Sequence, residues 1–478
     1  MTAEEQALKG HVFVVHGKVN QVLHDAVVVP TDEFLTVEPH WRDLIETEQP
    51  PRPTTWAKGW GRHRDTRCWL VDVTDLYGVY DTVLDRLEGA VEDIARSEDL
   101  GDPRGRRALP LVAVPVLGIG KGGYDGQQGR VLTSLIARLT DLASTHQLDI
   151  ALVAANSSVY HAAQNLRRKL DPPLPEFEAR AKALGKRAKH GELALFLGAG
   201  ISIPAGLPSW EDLIKDLAEE ARLPHADLTE LTPIDQAELI EHRAEAEAGS
   251  QRRVRFQQSV AKRTSKAAQP ALLHALIAGL DIRQAATTNY DTLYEQAMEA
   301  AGHPVAAILP WASGSGADRW VLKLHGDREH PEQIVLTRRH MVRYDAANRP
   351  SAALLQSLFL THHLLVIGAS MTDDNVIRLA HEVQAYREDH HQEQSEFGTV
   401  LHPSNRGPSI RAQLWEGQLD WVHLPPRRRD GCLPGARNLP RSGRTPRLDH
   451  VGLVTRSTIS RPAGRGRPGP RASGPNAL

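Results

Sequence analysis

The chain has 478 residues, 41% of them hydrophobic, with 57 Lys and Arg against 59 Asp and Glu. That length predicts two or three domains, and the near-neutral balance points the chain as a whole toward neither nucleic acid nor a membrane surface. The two cysteines, Cys68 and Cys432, exclude a disulfide framework and fit a reducing compartment. No apolar run is long enough to span a bilayer and the polar N-terminus is no secretion signal, so a cytoplasmic protein is expected.

Residues 1–172 read as a first α/β domain. Strand-like runs at His11–Val15, Ala26–Val29, Cys68–Val73, Leu109–Val116 and Asp149–Ala154 alternate with helical patterns over Tyr80–Arg96 and Gly129–His146. The pair Trp56 and Trp60 is expected to pack against core. The segment Asp171–Pro175, with three prolines, reads as a linker.

Residues 176–424 read as a second α/β domain with a parallel sheet. Its strands are expected at Leu193–Leu197, Ala285–Thr288, Val321–Leu324, Leu364–Ile367 and Gly398–Leu401. The first ends in Gly198-Ala199-Gly200-Ile201-Ser202, followed by the turn Gly206-Leu207-Pro208. Glycines at a strand-to-helix turn let backbone N–H groups approach a phosphate. Ser209 is the expected N-cap of the next helix, with Asp212 at its third position. A long helical insert is expected from Ile234 to Leu280.

Three further strands end in polar groups. One delivers Asn289 and Asp291, one delivers His325 followed by Gly326, and one ends in Gly368-Ala369-Ser370 before an acidic helix start. In an open parallel sheet, ligands bind at the carboxyl ends of the strands. Read singly, each motif has a plainer meaning: Asn289 and Asp291 also fit a helix N-cap and turn, and His325 a core or surface position.

Taken in order, these motifs resemble the sirtuin (Sir2-like) family over about residues 176–424. The resemblance implies NAD as substrate. It places Gly198, Ala199, Gly200, Ser202 and Gly206 around the pyrophosphate and nicotinamide ribose, and Gly368 and Ser370 near the adenosine half. It makes Asn289, Asp291 and His325 the catalytic candidates. Zinc-bearing sirtuins use four cysteines, and the sequence has only two, so no zinc is expected. Trp210 also stands where the family usually has Phe. Thr287-Thr288-Asn289-Tyr290-Asp291 and Lys323-Leu324-His325-Gly326-Asp327 resemble the Sir2-like NAD hydrolases of bacterial antiphage defence. The expected reaction is therefore NAD⁺ glycohydrolysis to nicotinamide and ADP-ribose, linear or cyclic. The rival readings are an NAD-dependent protein deacylase or ADP-ribosyltransferase, and a non-catalytic NAD-metabolite sensor.

The first domain resembles a macro domain through Val12–Val15, Asp25–Pro30, the run Val114–Tyr124 with its glycine loop, and the strand Ile150–Val153, with Lys18 where that family usually has Asp. A phosphate-bearing ligand or infection trigger, a structural or oligomerising role, and an unrelated α/β fold all stay open for it; a homo-oligomer is expected. Residues 425–478 hold a dozen arginines and no lysine, with frequent Pro and Gly, and read as disordered. A frameshift product, a nucleic-acid-binding arm and a plain linker are the three readings of that tail.

Overall fold

The computed structural model describes residues 9–424, except 76, 101–102, 105–106, 120–123, 171–174, 225–227, 249–251, 268, 392–395 and 405–408. The arginine-rich tail with Cys432, most of the first domain's glycine loop and most of the proline linker lie outside the described residues.

The first unit is a six-stranded sheet built from β1 (Val12–His16), β2 (Ala26–Thr31), β3 (Trp60–Arg62), β4 (Cys68–Asp72), β5 (Leu111–Pro115) and β6 (Asp149–Ala154). The spatial order is β1-β6-β5-β2-β4-β3. All pairs are parallel except β3 with β4. Strands β1, β4, β5 and β6 are buried at every position, as expected when both faces of a sheet are covered. Helices α1 (Tyr80–Arg96), α2 (Gln128–His146) and α3 (Ser157–Leu170) cover one face, with Val83, Leu87, Val91 and Ile94 of α1 turned inward. Trp56 and Trp60 are both buried, in the cores on opposite faces of this sheet.

The second unit begins with helix α4 (Pro175–His190), whose first residue is the last proline of the expected linker. Its seven strands are β7 (Leu193–Leu197), β8 (Gln284–Thr287), β9 (Ala307–Leu309), β10 (Trp320–Lys323), β11 (His363–Ile367), β12 (Gly398–Pro403) and β13 (Leu419–Leu424). They lie in the order β13-β12-β11-β7-β8-β10-β9, and every pair is parallel. The five expected strands are present. The two additions, β9 and β13, are edge strands.

From β7 the chain moves across the sheet to β8, then returns to place β11 on the other side of β7. The carboxyl ends of β7 and β11 therefore flank the switch point, where a parallel sheet opens a crevice. Register aligns this edge: Ile367 pairs with Leu197, Leu197 with Thr287, and Thr287 with Lys323. The motifs that follow β11, β7, β8 and β10 thus leave the sheet at one level. Three strand spacings separate the outer two, roughly 14 Å.

Helix α5 (Trp210–Glu220) starts with the expected capping box: Asp212 N–H donates to Ser209 Oγ (3.1 Å), and Asp212 Oδ2 accepts from Ser209 N–H (3.3 Å). The expected single insert, Ile234 to Leu280, is instead three helices: α6 (Pro233–Ala248), α7 (Arg252–Thr264) and α8 (Leu272–Ala278). Pro270, just before α8, cannot continue a helix from α7, since it lacks an N–H and clashes with the preceding turn.

Helix α8 joins the two units. Leu272 and Ala275 enter the core of the first sheet together with Phe13 and Val15, while Leu273, Ile277 and Ala278 enter a core of the second. Leu23 N–H donates to Pro270 O (2.8 Å) and Gln269 Nε2 to Asn20 O (2.8 Å), closing the junction. Leu272 is only 2% exposed. Leu272→Ala is expected to cost about 2–5 kcal/mol, the range for cavity-forming core truncations. Urea unfolding followed by fluorescence checks this, and an unchanged midpoint would show that α8 does not couple the units.

Candidate active site

Gly198, Gly200 and Gly368 bring two loops into backbone contact. A Cβ on Gly198 would lie 2.6 Å from Gly368 O, and one on Gly200 would lie 2.8 Å from Gly368 Cα. Gly200 N–H donates to Gly368 O (2.9 Å) and Gly198 N–H to Ile367 O (3.0 Å). Ile201 and Ser202 donate to Gly198 and Ala199 carbonyls. The sequence reading gave these glycines to a phosphate. In the structure they close the switch-point loops on each other, and those four N–H groups are already used. Ala199 is exposed, and Gly206 (φ +91°) caps the short turn that leads to α5.

Ser202, Asn289 and one residue the sequence reading missed, His274, form a buried polar cluster. Asn289 Nδ2 donates to Ser202 Oγ (3.2 Å), and His274 Nε2 lies 3.3 Å from the same oxygen. Ala271 N–H donates to His274 Nδ1 (3.1 Å), so the ring carries its proton on Nε2 and donates to Ser202. Burial lowers the His274 pKa to about 4, which keeps the ring neutral. Ser202 Oγ thus accepts two hydrogen bonds and its own proton is left to donate. Asn289 Oδ1 is buried and has no partner. The cluster offers one donor and one acceptor side by side, the pattern a sugar diol or a water satisfies.

His325 follows β10 and is 6% exposed. Its Nε2 lies 3.0 Å from Asp373 Oδ2. Asp373 is a second missed residue; its other oxygen accepts from Val376 N–H (3.0 Å) and caps α10 (Asp374–Asp389). Burial opposes ionisation of Asp373, but the His325 ring and the Val376 and Asn375 N–H groups outweigh it and hold the carboxyl below its ordinary value. An ionised carboxylate only accepts, so His325 donates to Asp373 from Nε2. Gly326 (φ +95°) takes a left-handed turn against Gln333 O, 2.7 Å from where a Cβ would stand.

Asp291 lies where the chain enters the next helix. Its Oδ1 accepts from Leu293 N–H (3.0 Å) at the start of α9 (Leu293–Ala300), which is the plainer helix-start reading. Its carbonyl accepts from Lys323 Nζ. Lys323, fully buried, also meets Glu295 Oε1 (2.8 Å) and Asp327 Oδ2 (2.9 Å). Burial opposes its charge, yet Glu295, Asp327 and Asp291 prevail and its pKa is raised. This one ammonium ties together the loops that follow β8 and β10. Ser370 is exposed, bonded to Thr372 Oγ1 (2.6 Å), and stays outside the buried cluster. Its carbonyl accepts from Arg411 Nη1 (3.3 Å).

Among the described residues, no group of three or more His, Cys, Asp or Glu is disposed to hold a metal. Cys68 is buried in the first unit, so the donor set does not fit a four-cysteine zinc site in this domain. No helix among the described residues is long and apolar enough to cross a membrane.

The chain matches the SIR2-like domain family over residues 283–418. More particularly, it is similar to two proteins named NAD(+) hydrolase ThsA. The one from Acinetobacter baumannii is 26% identical over 225 residues, 46% of this chain and 44% of that protein. The one from Bacillus cereus is 28% identical over 221 residues, 45% of each. Defense-associated sirtuin 2 of Bacillus subtilis is 25% identical over 217 residues, 44% of this chain and 21% of that protein. The chain thus spans less than half the length of each of these relatives. A macrodomain from Oceanobacillus iheyensis is a structural neighbour of the N-terminal unit, with TM-score 0.25 and 9% identity over 36% of this chain and 96% of that one.

Two outcomes are expected from the buried groups. The unfolded chain protonates His274 near pH 6.5, while the folded chain resists until about pH 4. Stability from this group is therefore present above pH 6.5 and is lost as pH falls toward 4, by roughly 3 kcal/mol. His274→Gln is expected to flatten that part of the melting-temperature profile. Lys323→Met, which leaves Glu295 and Asp327 buried without their counter-charge, is expected to cost about 3–5 kcal/mol in urea unfolding.

Proposed function

We propose that the chain is an NAD⁺ glycohydrolase that breaks the nicotinamide–ribose bond. The observation that carries this reading is the unpartnered Asn289 Oδ1 beside the free Ser202 proton, one strand from the His325–Asp373 pair, on the carboxyl edge of a parallel sheet. The relatives' name, NAD(+) hydrolase, supports the same substrate and reaction.

In this reading NAD lies along the aligned strand ends, with its pyrophosphate over the switch-point loops at Gly198–Ser202 and Gly368–Ser370. Ser202 and Asn289 hold the nicotinamide ribose through its hydroxyls. The C1–N bond breaks with its electron pair passing to the pyridinium nitrogen, so nicotinamide leaves neutral and an oxocarbenium-like ribose remains. Water attacks C1 and gives its proton to His325 Nδ1, while Asp373 stabilises the imidazolium that forms. The products are nicotinamide, ADP-ribose and a proton; attack by an internal group in place of water would give a cyclic form. Asp291 acts by fixing the loop that carries Asn289.

An NAD hydrolase acting on the cytoplasmic pool has to be gated, so we assign the enzyme to bacterial antiphage defence by NAD depletion, in a homo-oligomer whose N-terminal unit senses the trigger. The B. subtilis relative's name supports the defence role.

The test is mass-resolved NAD turnover by the full chain. His325→Ala and Asn289→Ala are each expected to lower nicotinamide release at least 100-fold with melting temperature retained, and Asp373→Asn to lower kcat by about 10–100-fold. Wild-type rates should be indifferent to an acylated peptide. Full turnover in both alanine variants would overturn the reading.

A further inference from the structure

An open cleft of about 850 Å³ lies where the two units meet. Its walls are α3 and α4, and its floor is the segment Gly279–Gln284. Four basic side chains line it: Arg167 and Arg168 from α3, Lys189 from α4 and Arg283 from the floor.

The one carboxylate in the lining, Asp281, is engaged by Arg319 Nη2 (2.5 Å) and His303 Nδ1 (3.3 Å). Arg167 Nε donates to neutral Gln164 Oε1 (3.3 Å), and Arg168 faces Glu178 of α4. Among the described residues, Lys189 and Arg283 make no ion pair. Cations gathered around a concave space repel one another, and the low-dielectric walls focus their field on an entering anion. Guanidinium groups from different elements also suit the several oxygens of linked phosphates. Leu193 and Ile282 add apolar surface. The volume matches small-molecule sites, about 300–1,000 Å³.

We propose that this cleft binds a small molecule carrying two or more phosphate groups. The proposal stands on the cleft alone and does not use the glycohydrolase reading. The cleft lies at the amino ends of β7 and β8, away from the strand-end crevice, and the chain links its floor to residues there. The floor segment joins α8, which carries His274, to β8, which leads to Asn289. Tyr160 Oη of α3 donates to Gly279 O (3.4 Å) at its start.

Calorimetric titration of the full chain with inorganic pyrophosphate tests this, comparing wild type with the double variant Lys189→Ala/Arg283→Ala. Both side chains are exposed, so the melting temperature is expected to hold while pyrophosphate affinity falls at least tenfold. Should the double variant melt lower, Lys189→Ala alone, on a helix surface, is expected to weaken binding severalfold at an unchanged melting temperature. ADP as a second probe separates the sources: tighter binding than pyrophosphate points to a nucleotide, equal binding to the phosphates alone. Absence of pyrophosphate binding to wild type overturns the proposal, as does equal binding to wild type and the variants, which would place the ion elsewhere. Binding of a single-stranded oligonucleotide in place of pyrophosphate overturns it too and assigns the patch to nucleic acid.

Discussion

The architecture depends on one short buried helix that belongs to two cores at once. Helix α8 is seven residues long, and six of them are buried. Too short to be stable alone, it forms because both of its faces are covered. Leu272 and Ala275 serve the first sheet, and Leu273, Ile277 and Ala278 the second. From the same turn His274 reaches Ser202 and, through it, Asn289. The packing of one unit on the other thereby sets the position of polar groups in the crevice. A shift of α8 by even an ångström would break hydrogen bonds near the limit of good geometry.

The crevice itself is held by polar groups that cannot be moved cheaply. The backbone ladder aligns the ends of β11, β7, β8 and β10. Glycines let two of the loops touch through their backbones. Lys323 binds the other two from below, through the Asp291 carbonyl and Asp327. A buried ammonium with two carboxylates is a poor source of net stability, because desolvation offsets much of the attraction. Its geometry is nonetheless demanding, since any displacement exposes an unpaired charge to a medium of low dielectric. Such a network fixes the position of the strand-end side chains more than it adds stability.

Much of this was legible in the sequence. Apolar runs of Val, Leu and Ile separated by helical stripes gave both α/β units, because parallel strands buried on two faces are apolar throughout. Capping chemistry at Ser209 and Asp212 marked the start of α5 correctly, since both partners are local. The polar residues ending each strand marked the crevice. Edge strands β9 and β13 escaped notice because a short edge strand needs little apolar alternation. Helix α4, whose residues are all half-buried or exposed, gave no strong core signal either. Asp373 carried a usable signal: an acid at the N-cap of a helix that follows a motif strand.

The sequence by itself determined the two α/β units, the order of the motifs, and which residue types stand at the strand ends. These are consequences of periodicity and local turn chemistry. Only the tertiary structure decided which of those residues lie together. It joined His325 to Asp373, 48 positions away, and Ser202 to His274, 72 positions away. It assigned Asp291 to a helix start and Lys323 to the space between two loops. Hydrogen bonds and ion pairs across such separations depend on strand order and on which faces are buried, and neither is encoded in the spacing of residues along the chain.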